Sequence, residues 1–467
     1  MNADLAPTLP GGMSLSRRSV ATTCIVGLLG GSALLGPHAS AERLPNMGNP
    51  LAPSLALAQV APGLPAGPNP AGPGAESTAP GAEPTAPGPE PGVRSTNNCE
   101  FRLLPPPAVS TSEIPAPGET SPAPLPTAEQ PVGGAKMGEC GEVAPTGFEV
   151  PAQLSATSWA VIDLDQGTVI AAKDPHGRYR PASIIKILLA LVAIEELQLD
   201  DTITAVAADA NMVGSRVGIV EGVGYRVETL LLGLLLNSGN DCGNALARAL
   251  GGWDSAIAKV NAKAISLGAT DTRVVNPTGL DAPGQSTSAY DMGLFVREAF
   301  NDPTYRKLSS VRLTTIPGDP ELGVEDFEIA NDNQLLVTDY PGALGGKTGF
   351  TDDARHTFVG VAEQAGRRLG AIILDATVVA APRPHEQAAL LLDAGFAAPA
   401  EAHVGKLVAA GVPQPDSDEH PYWGLFENTP GQEPRLSTWA QVAVGLGVVA
   451  VVALIGLATW WSGKRRR

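Results

Sequence analysis

Between residues 148 and 411 the chain carries short apolar runs that are typical of strands and longer apolar runs that are typical of helices. Two strand-type runs flank Asp165-Gln166-Gly167, which is typical of a β-hairpin. The run Ile187–Ile194 is apolar on nearly every side and predicts a buried helix. The predicted strands are Trp159–Asp163, Thr168–Ala172, Leu344–Gly349, Thr357–Ala362 and Leu369–Leu374, and the other predicted helices are Glu228–Leu236, Cys242–Leu250 and His385–Phe396.

Strand signals therefore stand at both ends of this region, and residues 195–335 between them are mostly helical segments and loops. A sheet must bury its apolar face against another layer, and the helical segments supply such a layer here. The pattern predicts an α/β (α+β) domain over residues 148–411, in which a sheet-bearing lobe is interrupted by a helical lobe.

The two ends of the chain carry further apolar stretches. Residues 1–41 contain an arginine pair, an apolar run and a small-residue cleavage site, which predicts an export signal; an uncleaved anchor helix is the alternative. Residues 438–461 carry no charge, and the stretch 440–459 within them spans roughly 30 Å at ~1.5 Å per residue, enough for a bilayer core. A polar linker, 412–437, precedes this predicted transmembrane helix, and a basic tail, 462–467, follows it. A buried soluble helix is the other interpretation.

Basic residues beside a membrane span stay in the cytoplasm. We therefore expect a single-pass protein of the cell membrane, with its folded domain outside the cytoplasm and its tail, 462–467, inside.

Residues 42–147 carry little that could form a core. They are rich in Pro, Ala, Gly and Glu, and a seven-residue unit is present twice. Such a composition buries too little apolar surface to offset chain entropy, so we expect an extended, largely disordered spacer. Cys99 and Cys140 lie in its second half and, in an exported protein, either form a disulfide or remain free thiols. Cys242 lies in an apolar helix and is expected to be a buried small side chain.

The charge of the chain excludes one class of partner. The formal net charge is −17, which argues against nucleic-acid binding. The histidines are scattered, and no Cys/His group has the spacing of metal ligands, so no metal or other cofactor is predicted.

Three polar motifs interrupt the apolar pattern. Ser183-x-x-Lys186 begins the buried helix, so a hydroxyl and an amine share its first turn. Ser238-Gly239-Asn240 occupies a tight turn after an apolar helix, and Lys347-Thr348-Gly349 lies on a predicted strand. Each motif alone is common: the first fits a helix cap with a solvated lysine, the second a turn, and the third a surface charge. For the first motif, the catalytic interpretation is that Ser183 is a nucleophile and Lys186, three residues away, is its base.

Together, in this order, the motifs resemble those of the penicillin-interacting serine enzymes. Further stretches resemble the serine D-alanyl-D-alanine carboxypeptidases, the low-molecular-mass penicillin-binding proteins, over residues 150–400. The proline-rich part, paired cysteines and single C-terminal anchor look like the actinobacterial form. The resemblance implies an antiparallel sheet flanked by helices, a mostly helical lobe, and an active site between them. The supporting stretches are Asn276-Pro-Thr-Gly-Leu-Asp281, Ser286-Thr-Ser-Ala-Tyr-Asp291, Asn331-Asp-Asn333 and Tyr340-Pro-Gly-Ala-Leu-Gly-Gly-Lys-Thr-Gly349.

The resemblance implies a role for each site residue. Ser183 would attack the peptide bond between two terminal D-alanines of a peptidoglycan stem peptide, with Lys186 as its base. Ser238 would relay a proton to the leaving amine, and Asn240 would orient the substrate. The substrate-binding residues would be Lys347, Thr348, Gly349 and Phe350, of which the first two hold the terminal carboxylate and Phe350 supplies a backbone N–H, with that of Ser183, to the oxyanion hole. A β-lactam would acylate Ser183 and inhibit.

Arg355 and Asp291 lie outside the three motifs and carry separate expectations. The family usually has a glycine close to Ala354-Arg355-His356, so we expect the bulky Arg355 near the mouth of the site to reshape substrate access and affect substrate preference. Asp291 lies at a predicted helix start and is expected to be a first-turn capping or dipole residue rather than a catalytic one.

The alternatives within the fold are a DD-endopeptidase and a β-lactamase. No Glu-x-x-Leu-Asn motif follows Ser238 to supply the water-activating glutamate of class A β-lactamases. A non-catalytic penicillin sensor or wall-binding protein is the rival from another class, and turnover of a D-Ala-D-Ala peptide would discriminate it from an enzyme.

Overall fold

A computed structural model describes residues 92–409 of the chain. Their centre is a seven-stranded antiparallel sheet in the order β1-β3-β2-β10-β9-β8, with β11 beside β1 on the outer edge of β3. Two separate hairpins, β4–β5 and β6–β7, lie outside this sheet. The strands are β1 Glu142–Val143, β2 Ser158–Asp163, β3 Thr168–Lys173, β4 Thr202–Thr204, β5 Gly224–Arg226, β6 Leu313–Ile316, β7 Phe327–Ala330, β8 Ala343–Thr351, β9 Arg355–Gln364, β10 Arg367–Ala376 and β11 Gly405–Lys406.

The central strands are apolar throughout because both faces of the sheet are covered. In β2, Ala160 and Ile162 enter the core cluster that includes helices of the helical lobe. Trp159 and Val161, which alternate with them, enter the second cluster with Leu391 of the last helix. Since successive side chains of a strand point to opposite faces, a strand with two covered faces has no polar face to show.

Most helices form the helical lobe on one side of the sheet, and the last helix covers the other side with a short helix beside it. The first helix, α1, is buried along eight consecutive residues from its start, which explains its lack of a polar side. A 3-10 turn, Ala182–Ile185, leads directly into it. The helices are α1 Lys186–Glu196, α2 Ala207–Ala210, α3 Val227–Leu236, α4 Asn240–Ala249, α5 Trp253–Ser266, α6 Ala289–Asn301, α7 Pro303–Ser309, α8 Gln334–Val337 and α9 Pro384–Ala397, with a further 3-10 helix at Ala135–Gly138.

The N-terminal segment 92–143, which we call the strap, corrects the expectation of a disordered spacer. It packs on the domain, buries Phe101 and Met137, and ends in β1, which pairs with β3. Cys99 and Cys140 form a disulfide. Composition was misleading here because the strap has no core of its own and instead uses the surface of the neighbouring domain.

Most of the other longer elements agree with the predictions from the sequence. The five predicted strands and the closing helix are present, each within a few residues of its predicted bounds. The short strands β1, β4 to β7 and β11 were not predicted. Within residues 92–409, no helix is both long and apolar enough to cross a bilayer. The predicted signal (1–41), the first part of the spacer (42–91), the linker (412–437), the transmembrane helix (438–461) and the tail (462–467) lie outside the described residues.

Candidate active site

The turn before α1 brings Ser183 and Lys186 together. Ser183 lies in the 3-10 turn, and Lys186 is the first residue of α1. Their Oγ and Nζ atoms are 2.8 Å apart. Lys186 Nζ also lies 2.5 Å from the carbonyl oxygen of Thr278, which holds the amine in place. The predicted pair therefore has the geometry for proton transfer between a hydroxyl and an amine.

The environment of Lys186 favours the neutral amine. Its side chain is fully buried, and burial is the main reason why its pKa lies well below the usual value for lysine. The neighbouring charge of Lys347 lowers this pKa further, whereas Asp332 and Asp241 oppose the shift. A neutral amine has a lone pair with which to accept the hydroxyl proton, and this is the state that a general base requires.

Ser238 and Asn240 occupy the turn between α3 and α4, as predicted. Ser238 has a φ of 58°, a left-handed conformation that is uncommon outside glycine. Ser238 Oγ and Asn240 Oδ1 are buried and have no hydrogen-bond partner within residues 92–409. The amide of Asn240 donates to Val213 O at 2.7 Å, so its orientation is fixed. A strained turn that holds two unused polar atoms beside the serine–lysine pair is typical of a ligand-binding site.

Asp241 fixes the loop that covers this turn. Its carboxylate accepts hydrogen bonds from the backbone N–H groups of Val217 (3.0 Å), Gly218 (2.7 Å) and Ile219 (3.2 Å). Asn240 N donates to Ser215 O at 2.8 Å in the same loop. Asp241 is a supporting residue that the sequence did not single out.

The third motif lies on β8, the edge strand of the sheet. Lys347 is fully buried and donates to Thr348 O at 2.9 Å, and Thr348 Oγ1 donates to Asp332 Oδ2 at 2.7 Å. Burial lowers the pKa of Lys347, and Asp332 counters that shift. The Asn331-Asp-Asn333 stretch was recognised in the sequence, but this support of Thr348 by Asp332 was not.

Gly349 allows β8 to lie directly against the serine turn. A Cβ atom on Gly349 would come 2.9 Å from Ser183 N and 2.3 Å from Thr357 Oγ1, so a side chain cannot be placed there without a shift. Phe350 follows on the strand; its side chain is 55% exposed, and its ring packs against His356 at 4.7 Å. The backbone of β8 thus meets the backbone of the nucleophile turn, and an edge strand can accept an extended peptide as an added strand.

A cleft of about 920 Å³ extends beside Thr348 and Gly349. Its other walls come from β9, at His356, and from the start of α9. Arg355 is not among the residues that line it. Instead Arg355 forms an ion pair with Asp375, at 3.4 Å, and its effect on substrate preference stays a prediction. The side chain beside the site is that of its neighbour, His356.

One buried acidic cluster is separate from the site. His176, Asp271 and Asp291 bring their potential ligand atoms within 4.8 Å of one another. His176 is already bonded to Asp271 (2.7 Å) and to Val132 O (3.0 Å), and Asp291 accepts from Asp271 N (2.8 Å). Asp291 lies in the first turn of α6, as expected, and burial, followed by the charge of Asp271, raises its pKa to about 7. These bonds make the cluster a support for the fold.

This chain is similar to known proteins over more than half of its length. Residues 145–378 match the D-alanyl-D-alanine carboxypeptidase family, peptidase family S11. The D-alanyl-D-alanine carboxypeptidase DacB2 of Mycobacterium tuberculosis H37Rv is 43% identical over 269 residues, which are 57% of this chain and 91% of that protein. A solved D-alanyl-D-alanine carboxypeptidase from the same strain has a TM-score of 0.54 at 43% identity, over 57% of this chain and 100% of that chain. A DD-transpeptidase from Streptomyces K15 has a TM-score of 0.50 at 25% identity, over 53% of this chain and 100% of that chain.

The shared fold defines a hydrolase of the penicillin-binding-protein class, with a serine–lysine pair between its sheet and its helical lobe. Within this class, the family match and the 43% identical relative decide the assignment. The chain belongs to the D-alanyl-D-alanine carboxypeptidase family and is a serine-type carboxypeptidase that acts on cell-wall peptidoglycan.

Proposed function

We propose that this chain is an exported, membrane-anchored D-Ala-D-Ala carboxypeptidase that removes the terminal D-alanine of peptidoglycan stem pentapeptides through an acyl-Ser183 intermediate. The observation that carries the proposal is the buried Lys186, whose Nζ is 2.8 Å from Ser183 Oγ and whose pKa is lowered, first by burial and then by Lys347. A serine is a weak nucleophile until a base takes its proton, and a neutral lysine supplies that base.

Acylation follows from these groups. Ser183 Oγ attacks the carbonyl carbon between the two D-alanines, and its proton passes to Lys186 Nζ. The negative charge on the carbonyl oxygen is stabilised by the backbone N–H groups of Ser183 and Phe350. The C–N bond then breaks, the proton held by Lys186 passes through Ser238 to the leaving amine, and D-alanine departs. Asn240 orients the peptide through its amide.

Deacylation regenerates the enzyme. Water attacks the carbonyl carbon of the acyl-Ser183 ester, the bond between Ser183 Oγ and the acyl group breaks, one proton of the water passes to Ser183 Oγ, and the shortened stem peptide leaves with a new carboxyl group. The terminal carboxylate of the original substrate is held by Lys347 and Thr348, so the enzyme selects a chain end. A β-lactam presents a similar carboxylate and a reactive amide. It is proposed to acylate Ser183, and water is proposed to hydrolyse the resulting acyl-enzyme slowly.

The experiment that tests the activity uses the full chain in membranes. The wild type should release free D-alanine from a pentapeptide that ends in D-Ala-D-Ala and should be labelled by a fluorescent penicillin. Labelling without any release of D-alanine would indicate a penicillin sensor, and rapid loss of the label would indicate a β-lactamase. Absence of both labelling and release would overturn the proposal.

The proposed anchoring rests on the uncharged residues 440–459 and the basic end after them, and on the signal-like residues 1–41. A membrane-impermeant thiol reagent added to intact cells should label a cysteine at Ser417→Cys, in the linker. The matched variant Ser462→Cys, beyond the span, should be labelled only after the cells are lysed. Labelling of Ser462→Cys in intact cells would contradict the orientation.

A further inference from the structure

The strap, residues 92–143, lies before the residues that match the family, 145–378, yet its polar contacts lead to the active site. Several of them converge on two positions in the domain. One is Arg180, three residues before Ser183, and the other is Asp353, three residues after Phe350. Both residues are buried, with 3% and 4% of their surface exposed. Buried charges must be paired and hydrogen-bonded, so these two positions fix where the strap binds the domain.

Arg180 is buried and pairs with a partly exposed acidic residue of the strap. Its guanidinium forms a two-pronged ion pair with Glu113, in which Nη2 donates to Oε2 at 2.6 Å and Nε donates to Oε1. Nη1 donates to Pro106 O of the strap at 2.7 Å and also reaches Asp353 O at 3.4 Å. A buried charge is costly unless it is paired, so the strap compensates the charge of Arg180 and thereby fixes the chain that enters the serine turn.

Asp353 binds residues 109–112 of the strap. Its Oδ1 accepts from Val109 N (2.7 Å) and Ser110 N (2.9 Å), and its Oδ2 accepts from Ser110 Oγ (2.8 Å) and Ser112 Oγ (2.6 Å). Burial alone would raise the pKa of this carboxyl group, but these hydrogen bonds outweigh it and hold the pKa below its usual value. The turn between β8 and β9 is therefore bound to the strap by a carboxylate with four hydrogen bonds.

These two anchors stand on the two segments that meet at the proposed oxyanion hole. A Cβ on Gly349 would lie 2.9 Å from Ser183 N, so the backbones of β8 and the serine turn touch. Thr357 Oγ1 donates to Pro181 O at 2.8 Å beside that contact. The distance between the amides of Ser183 and Phe350 thus depends on how the turn after β8 sits against the chain before Ser183.

We propose that the strap is a positioning element of the active site: by binding Arg180 and Asp353 together, it sets the spacing of the two backbone N–H groups that receive the carbonyl oxygen of the substrate. This proposal rests on the proposed function, in which Ser183 is the nucleophile. Glu113, Arg180 and Asp353 touch neither substrate nor reacting atoms, so they are positioning residues.

The test compares two neighbouring acidic residues of one turn in the full chain. Asp353→Asn replaces one acceptor oxygen of the bound carboxylate with an amide group that cannot accept, whereas Asp352 is exposed and Asp352→Asn serves as its control. We expect Asp353→Asn to lower both kcat on a D-Ala-D-Ala peptide and the penicillin acylation rate by roughly 10- to 100-fold, since a misplacement of about 1 Å can cost about 100-fold. KM should change far less, because the oxyanion contacts form only in the transition state.

A second matched pair guards against misfolding of the first variant. Glu113→Gln removes the charge that faces Arg180, and Glu119→Gln changes an exposed glutamate of the same strap. Thermal unfolding curves should show each variant folded at the assay temperature, and Glu113→Gln should repeat the loss of kcat.

The outcomes separate this proposal from the proposed function. A wild type that neither acylates nor turns over would refute the proposed function itself. An active wild type with unchanged kcat in folded Asp353→Asn and Glu113→Gln would overturn the positioning role. So would a rise in KM alone, or unfolding of both variants, because the contacts would then serve binding or the fold rather than the oxyanion hole.

Discussion

Lys186 and Lys347 are both fully buried in one site, and the charge of one acts on the pKa of the other. Burial is the larger reason that the pKa of Lys186 lies well below its usual value, and Lys347 lowers it further. Two buried cations repel, and the repulsion is relieved when one of them loses its proton. In the proposed mechanism Lys186 is the base, and Lys347 is the cation that binds the carboxylate of the substrate.

The first prediction is a shift of the pH profile. Acylation requires neutral Lys186, so its rate should rise with pH through the pKa of Lys186. Lys347→Met removes the positive charge that lowers this pKa, so the pKa should rise and the acidic limb of the profile should move to higher pH. The measurement is the penicillin acylation rate against pH. Lys307→Met, at an exposed lysine, should leave the limb in place, and a limb that is unmoved or moves to lower pH in Lys347→Met would contradict the assignment.

The second prediction concerns the nucleophile. Ser183→Ala should abolish covalent labelling by a fluorescent penicillin, because no hydroxyl remains beside Lys186. The fold should persist, since the change removes one oxygen atom from the turn. Mass spectrometry of the acylated wild type should place the added mass on the peptide that contains Ser183. Acylation found on any other residue would end this assignment.

The third prediction concerns selection of a chain end. A charge-assisted hydrogen bond is worth roughly 1.5–3 kcal/mol, and ~1.4 kcal/mol corresponds to tenfold in rate. Lys347→Ala should therefore lose at least roughly tenfold in kcat/KM on a peptide that ends in D-Ala-D-Ala. The loss should be much smaller on the C-terminally amidated peptide, which the wild type should already cleave poorly. Equal wild-type activity on the acid and the amide would remove carboxylate recognition and favour an endopeptidase.

The fourth prediction concerns the disulfide of the strap. From sequence alone, a bridge between Cys99 and Cys140 should matter little to the catalytic domain, because it would close a loop in a disordered spacer. The structure reverses this expectation, because the bridge closes a loop of 41 residues that packs on the domain. Removal of a disulfide typically costs roughly 2–4 kcal/mol.

Thermal unfolding of the Cys99→Ser, Cys140→Ser double variant, followed by fluorescence, should show a lower Tm than the wild type. Wild type treated with a reductant should match the double variant, because Cys242, the other cysteine within residues 92–409, is buried and forms no disulfide there. An unchanged Tm, with full penicillin labelling, would show that the bridge does not support the strap.

The sequence by itself determined the elements that depend on local pattern. The strands β2, β3, β8, β9 and β10 and the buried helix α1 follow from apolar periodicity. The resemblance to a known family, carried by the three motifs in their order, indicated which polar side chains share a site. Ser183 and Lys186 could be paired from the sequence because they stand three residues apart on one turn. Local backbone geometry brings such residues together, so the pairing does not depend on contacts between distant segments.

Only the tertiary structure decided the contacts between distant segments. Thr278 O beside Lys186, Asp332 beside Thr348, and Asp375 beside Arg355 are separated by many residues along the chain, and no local pattern encodes them. The strap is the clearest case. Its composition cannot form a core, but Arg180 and Asp353 lie on the domain and supply the bonds that order it. Order in a segment of low hydrophobicity depends on the surface against which it folds, and that surface exists only once the rest of the chain has folded.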